Sequence, residues 1–362
     1  MSRKFPHRIK CVVVKVGSSV IASYKLKPHR ARLQSLVDQI SILQSQGVQV
    51  ILVSSGAIVL GRGEISQNFK PSDLASLQAC AAIGQNVLMR TYGDLFKKYD
   101  LSVAQLLLTW EDFDNRARFN NARNTLKAIL GYGAVPIINE NDTISTDEIK
   151  FGDNDKLSAL VASLIGADLL VILSDVEGLY NMKSERKEVI REIKDITDDI
   201  RSIATDTSKR QVSKGGMIAK LDAIKIATHA NIPCVIASGE TDAVLLRILN
   251  GEQLGTFFYE KEDKLLARRH WISFLAKPKG QIIVDDGAKA ALLTAGKSLL
   301  LPGLVSWEGT FKTGDVVIVQ DRHHQEIARG ISNYSVQDLY RIQDKKNKTE
   351  VIHRDDLVLC QT

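Results

Sequence analysis

The chain has 362 residues, 44% of them hydrophobic and 25% charged, with a formal net charge of +6. These are ordinary globular values that suit one large domain plus a small one, and no run approaches the roughly 18 consecutive apolar residues of a membrane span. Cys11, Cys80, Cys234 and Cys360 are far apart with no C-x-x-C pair, which argues against a zinc ribbon or a disulfide framework and for reduced, structural thiols.

The basic opening "MSRKFPHRIK" carries no secretory cleavage pattern, so a cytoplasmic location and no membrane partner are expected. It leads into a β-branched strand, "CVVVKV", which ends at Gly17-Ser18-Ser19. An amphipathic helix from about Pro28 to Gln46 follows, then a second apolar run, "VQVILVSSGAI". A long helical stretch near Asp73–Lys98, a strand "SVAQLLL" and a helix near Asn115–Ile129 come next. After them "AVPIINEND" reads as a strand, "DKLSALVASLI" as a helix, "ADLLVILSD" as a strand, Met217–Ala230 as a helix and "IPCVIAS" as a strand. Strands this apolar, alternating with helices, imply a largely parallel sheet covered on both faces, an α/β fold. Ligands of such sheets gather at the carboxyl ends of the strands. There the chain places "GSS", "SSGA", "NENDTISTDEIKFGDND" and "SDVEGLY".

From about Lys277 the texture changes to short strands with frequent glycine turns, a β-rich segment of some 85 residues. The expected division is residues 1–265 as the α/β domain, 266–277 as a linker and 278–362 as the small domain. From Lys277 onward there are 12 Lys/Arg against 11 Asp/Glu, so the excess positive charge is spread over the preceding residues. It hints at anionic ligands.

The common phosphate motifs are absent. Gly296-Lys297-Ser298 has alanine at 291, where a Walker A loop needs its first glycine. "GYGAVP" and "GRGEIS" lack the third glycine of a dinucleotide fingerprint. "HRDD" at His353–Asp356 is followed by no D-F-G, and His323-His324 has no further ligand group nearby in sequence. What remains is Lys15, inside a strand apolar enough to be buried, ahead of a small-residue turn whose N–H groups can cradle an anion. "SKGGMIAKL" offers a flexible Gly215-Gly216 loop with Lys220 one turn into the next helix. In "FGDNDKLSA", Asp and Asn suit a helix cap, with Asp153 the expected cap. The acids there lack the further hard ligands of a calcium loop, so no protein metal site is expected.

Taken together, "VVVKVGSS", "VSSGAI", "INENDT", "FGDNDKLSA", "SDVEGLY" and "KGGMIAKL", in this order, resemble the amino acid kinase family, and in particular its members that act on glutamate. The tail, closing with "VIHRDDLVL", is similar to a PUA domain. The resemblance implies an open, mainly parallel sheet sandwiched by helices (the amino acid kinase fold) plus a small β-rich PUA-like domain. It implies transfer of the ATP γ-phosphoryl to the γ-carboxylate of L-glutamate, giving L-glutamyl 5-phosphate, the first step of proline synthesis. Lys15 and Lys220 would hold phosphates and stabilise the transferring group, with Asp155 orienting both. Ser55, Gly56, Asn139, Asp142 and Asn154 would bind glutamate, Asp142 being suited to its ammonium. Lys15, Gly17, Ser18, Ser174, Asp175, Lys214, Gly215, Gly216, Met217 and Lys220 would bind ATP, with Mg²⁺ held mainly through the phosphates. Ser213-Lys214 replaces the usual Gly-Thr of the nucleotide loop. The resemblance also implies feedback inhibition by proline, a homo-dimer or tetramer, and coupling to glutamyl phosphate reductase. For the tail, the near-neutral charge favours a regulatory or structural role over RNA binding. The alternatives are a family member with a different acceptor, or an RNA-binding protein on an inactive kinase scaffold.

Overall fold

The computed structural model describes residues 3–360 except positions 4, 6 and 24 and segments 67–72, 145–153, 182–187, 211–215, 262–277 and 343–348. Two compact units emerge. One comprises Met1–Asp112 and Arg116–Asp263, the other Phe113–Asn115 and Lys264–Thr362. The expected linker, 266–277, lies outside the described residues.

In chain order the first unit runs β1 (Cys11–Val16), α1 (Ser18–Ile21), α2 (Arg30–Ser45), β2 (Gln49–Ser54), α3 (Ala57–Ile65), α4 (Leu74–Phe96) and β3 (Val103–Leu108). It continues with α5 (Trp110–Asp114, whose last two residues count with the other unit), α6 (Arg116–Gly131), β4 (Val135–Glu140), α7 (Asn154–Ile165), β5 (Leu169–Ser174) and β6 (Tyr180–Asn181). Then come β7 (Glu188–Val189), β8 (Glu192–Ile193), α8 (Asp198–Arg210), α9 (Gly216–His229), β9 (Cys234–Ser238), α10 (Val244–Leu249) and β10 (Thr256–Phe258). One sheet of order β3-β4-β2-β1-β5-β9-β10-β8 joins these strands apart from the β6–β7 pair. The six from β3 to β9 are mutually parallel, and β10 runs antiparallel to β9. This is the mainly parallel sheet that the apolar runs imply.

Alternation along β1 shows how the sheet is covered. Val12, Val14 and Val16 join a core built with Leu33, Leu36, Val37 and Ile40 of α2 and Leu88 and Tyr92 of α4. Those α2 positions follow the i, i+3, i+4, i+7 stripe of an amphipathic helix. Val13 and Lys15 point to the opposite face, where Lys15 meets α7. In β5 all six residues are buried. A parallel strand between two helical layers has no polar face.

Two glycine features shape the carboxyl edge. Gly56, with φ 101°, turns β2 into α3, and a Cβ there would come 2.8 Å from Ile21 Cγ2. Gly61 and Gly84 let α3 and α4 touch backbone to backbone, since a Cβ on Gly84 would lie 1.8 Å from the Ala57 oxygen. The helical pattern of α3 was not expected from sequence. Its glycines at 61 and 63 argue against a helix locally, and Gly61 is retained for the crossing.

The second unit contains β11 (Gly280–Val284), α11 (Asp286–Leu293), β12 (Leu299–Leu300), β13 (Leu304–Gly309) and β14 (Val316–Gln320). It ends with β15 (Glu326–Ile331), α12 (Val336–Arg341), β16 (Glu350–Ile352) and β17 (Leu357–Leu359). A five-stranded sheet of order β13-β11-β14-β15-β17 and a separate β12-β16 pair surround a core of its own, including Ile282, Val284, Phe311, Val319 and Val351.

Candidate active site

Asp155, in the first turn of α7, is the hub of a buried charge cluster. One carboxylate oxygen pairs with Lys15 Nζ of β1 and the other accepts from Lys220 Nζ of α9 at 3.0 Å. The three residues are 2%, 5% and 8% exposed respectively. Burying such charges is tolerable only because they are paired. Two ammonium groups share one carboxylate, so the cluster keeps a surplus of positive charge. Lys220 Nζ also donates to the Gly216 carbonyl at 3.3 Å, tying it to the start of its own helix. The arrangement is a buried, paired cationic cluster at the sheet's carboxyl edge, suited to an anion.

The preceding residue, Asn154, turns the other way. Its Nδ2 donates to Asn139 Oδ1 at 2.8 Å and to Ser55 Oγ at 3.1 Å, and faces the Ser54 carbonyl at 3.4 Å. Asn139, near the end of β4, donates in turn to Gln85 Oε1 of α4 at 2.8 Å. Adjacent residues at one helix start thus join two neighbourhoods, a charge cluster and a chain of neutral polar groups. Beneath the latter, Ser54 Oγ and the Tyr92 hydroxyl lie 3.1 Å apart, and burial pushes the Tyr92 phenol above its ordinary range.

The remaining sequence-derived residues fall around the same edge. The Gly17 N–H donates to the Leu173 carbonyl at 3.0 Å, holding the turn after β1 against the end of β5, and Ser18 beside it is exposed. Ser174 is buried at the tip of β5 and its hydroxyl donates to Asp175 Oδ1 at 2.9 Å. Gly216 opens α9, and Met217 is buried in its first turn. Asp142 is half-buried in the turn after β4, three residues beyond Asn139. Lys214 and Gly215, with Ser213 and Asp153, lie outside the described residues.

Two participants escape a sequence reading: Gln85 and the Ser54–Tyr92 pair. The available signal for Gln85 is its place on the apolar stripe of α4. It stands at the i−3 and i−7 positions from Leu88 and Tyr92, where an amide needs a reason to be buried.

Residues 10–238 match the amino acid kinase family and residues 280–354 the PUA domain. The chain belongs to the amino acid kinase family. Its relatives include the glutamate 5-kinases of Carboxydothermus hydrogenoformans and Caldanaerobacter subterraneus subsp. tengcongensis. The first is 43% identical over 99% of both chains, and the second 43% identical over 97% of this chain and 98% of its own. A third, the glutamate 5-kinase of Syntrophotalea carbinolica, is 43% identical over 99% of this chain and 100% of its own. In this family member, the Asp155-bridged lysines and the Asn154 chain therefore stand within the matched segment, and the second unit's own sheet stands within the PUA match.

Proposed function

We propose that this chain transfers the γ-phosphoryl of ATP to the γ-carboxylate of L-glutamate, yielding ADP and L-glutamyl 5-phosphate, the entry reaction of proline synthesis. The observation that carries the reading is Asp155 holding Lys15 and Lys220 together beside Asn154. Full-length relatives named glutamate 5-kinase support it.

The chemistry asks for what the site has. A glutamate side chain has a reference pKa near ~4.3, so the acceptor is ionised at neutral pH and no general base is required. The requirement is alignment of two anions and positive charge for a phosphoryl group whose charge spreads over its oxygens. Lys15 and Lys220 supply that charge. Asp155 fixes their separation without cancelling both. The acid would lie along Ser55, Gly56, Asn139, Asp142 and Asn154. ATP would lie along Gly17, Ser18, Ser174, Asp175 and the 214–217 segment. Mg²⁺, bound through the phosphates, would screen them from one another. Among the described residues no group of three or more His, Cys, Asp or Glu is arranged to hold a metal, and a phosphate-borne ion needs none.

Among the described residues no helix is long and apolar enough to cross a membrane. A cytoplasmic dimer or tetramer inhibited by proline and passing its labile product to glutamyl phosphate reductase belongs to the same reading. So does a regulatory or structural use of the PUA unit in place of RNA binding. The test is a hydroxylamine trap with Mg-ATP and a panel of acids, with and without proline. Hydroxamate should form from L-glutamate. Formation only from aspartate or N-acetylglutamate would replace the acceptor, and RNA binding with no glutamate-dependent ADP release would replace the reaction.

A further inference from the structure

The amide chain beside the charge cluster has a fixed direction, set by backbone groups at both ends. Asn139 Oδ1 accepts the backbone N–H of Glu140 at 2.9 Å, and a backbone N–H can only donate. The Asn139 amide nitrogen must therefore face α4, where Gln85 Oε1 accepts from it. At the far end Asn154 Nδ2 faces the Ser54 carbonyl, which can only accept. Asn154 is thereby oriented too, and its Oδ1 is turned away from these partners.

That oxygen is buried and has no hydrogen-bond partner among the described residues. So is Gln85 Nε2, on a residue only 9% exposed. A buried amide left half-satisfied is costly. A methionine of similar length would fill this apolar stripe without that cost. Gln85 is thus poorly explained as packing and well explained as an acceptor for Asn139.

We propose that Gln85 is a specificity-determining positioning residue. By accepting from Asn139 it adds a side-chain clamp to the orientation that the Glu140 N–H and the Ser54 carbonyl set, and so keeps the Asn139–Asn154 pair in the arrangement that reserves Asn154 Oδ1, an acceptor, for the α-ammonium of a free amino acid beside Asp142. This rests on the reading of the substrate as L-glutamate. Gln85 itself acts through Asn139 and Asn154. A dicarboxylate of the same length without an amine, such as glutarate, gains nothing from the reserved oxygen.

The experiment uses the full chain and measures kcat, the KM values for L-glutamate and ATP, and the competitive inhibition constant of glutarate. Gln85→Met should raise KM for L-glutamate about tenfold or more, the effect of leaving one buried amide unpaired. The turnover number, the KM for ATP and the glutarate constant should stay within about threefold, as expected when ground-state binding alone is lost. Gln85→Glu, which burial without a cation among its described partners keeps as the neutral acid and so as a carbonyl acceptor, should recover most of the loss. An unchanged KM in Gln85→Met, equal weakening of glutamate and glutarate, or no recovery in Gln85→Glu would each overturn the proposal. Should the methionine variant fail to fold, the glutamate variant decides alone. Near-native discrimination between glutamate and glutarate upholds the acceptor role, and its loss removes it. A wild-type chain inactive on L-glutamate would instead defeat the substrate reading. The same comparison would then be made with the acid of the panel that is turned over and its amine-free analogue.

Discussion

A lysine inside a strand as buried as β1 is stable only if its charge is answered, and Asp155 answers both Lys15 and Lys220. That sharing gives the two lysines different consequences on removal. Lys220→Ala leaves Lys15 and Asp155 as a buried neutral pair, so the fold should survive with little change. What is lost is one of the two cations proposed to face the transferred phosphoryl, and removal of one such preorganised group typically costs about 10²–10³ in turnover. We therefore expect kcat to fall by roughly that factor, with a melting profile close to wild type. Near-normal turnover in a folded variant would remove Lys220 from the chemistry. That Lys15 needs a partner was legible beforehand, because it interrupts a run that has no other reason to hold a charge; Asp155 as that partner followed only from the family resemblance. The partnership of Asn154 with Ser55 and Asn139 was not legible as contacts. These residues come from three elements and only the sheet order brings them together. Gln85 stayed hidden for a related reason: helical spacing says which face is buried but not which strand end it meets.

At the scale of elements, the longer strands declared themselves as apolar runs, and α3 defied expectation through its glycines. The crossing of α3 and α4 depends on Gly84 admitting the Ala57 carbonyl. In Gly84→Ala the new methyl would meet backbone atoms, 1.8 Å from that oxygen and 2.4 Å from the Gly61 nitrogen. Backbone cannot move aside like a flexible side chain, so the helices must separate, at about 1–3 kcal/mol. The urea midpoint should fall at constant m-value. Because Gln85 and Gly56 adjoin the crossing, KM for the acid should rise as well. In the second unit a turn supplies the corresponding test. Asp321, between β14 and β15, accepts from Lys289 Nζ at 2.8 Å and from the backbone N–H groups of His323 and Gln325 at 2.9 and 3.0 Å. The Lys289 ammonium and those N–H groups lower its pKa from 3.8 to about 2. A carboxylate depressed on folding stabilises above its unfolded pKa, and that contribution is lost as pH falls through the folded value. Asp321→Asn should therefore be less stable than wild type at pH 6. The gap should narrow between about pH 4 and pH 2 in acid unfolding curves. A gap independent of pH would mean that the hydrogen bonds, not the charge, do the stabilising.

For the whole molecule, the decisive fact is that the core around β1, α2 and α4 and the main core of the second unit share no residue among those described. The core around β1, α2 and α4 draws on residues from Ile9 to Phe257, and that of the second unit on residues from Ile282 to Leu357. The composition shift near Lys277 falls between the segments that match the amino acid kinase family, 10–238, and the PUA domain, 280–354. The short pairs β6–β7 and β12–β16 did not show in the sequence, since strands of two or three residues carry too little periodicity to read. Each core holds enough buried aliphatic and aromatic surface to melt as a cooperative unit, and a ligand stabilises only the unit that binds it. Every residue of the proposed site belongs to the first unit. Saturating L-glutamate with a non-hydrolysable ATP analogue and Mg²⁺, at about 100 times their dissociation constants, should add roughly 2.7 kcal/mol per site to that unit alone. With both sites filled that is roughly 5.4 kcal/mol, and for a unit of this size the shift is about 10–20 °C. Scanning calorimetry of the full chain should then resolve two transitions, one displaced by the ligands and one fixed. If the ligands displaced both by the same amount, the PUA unit would be coupled energetically to the kinase site. Its role would then be regulation of catalysis, not support of the chain.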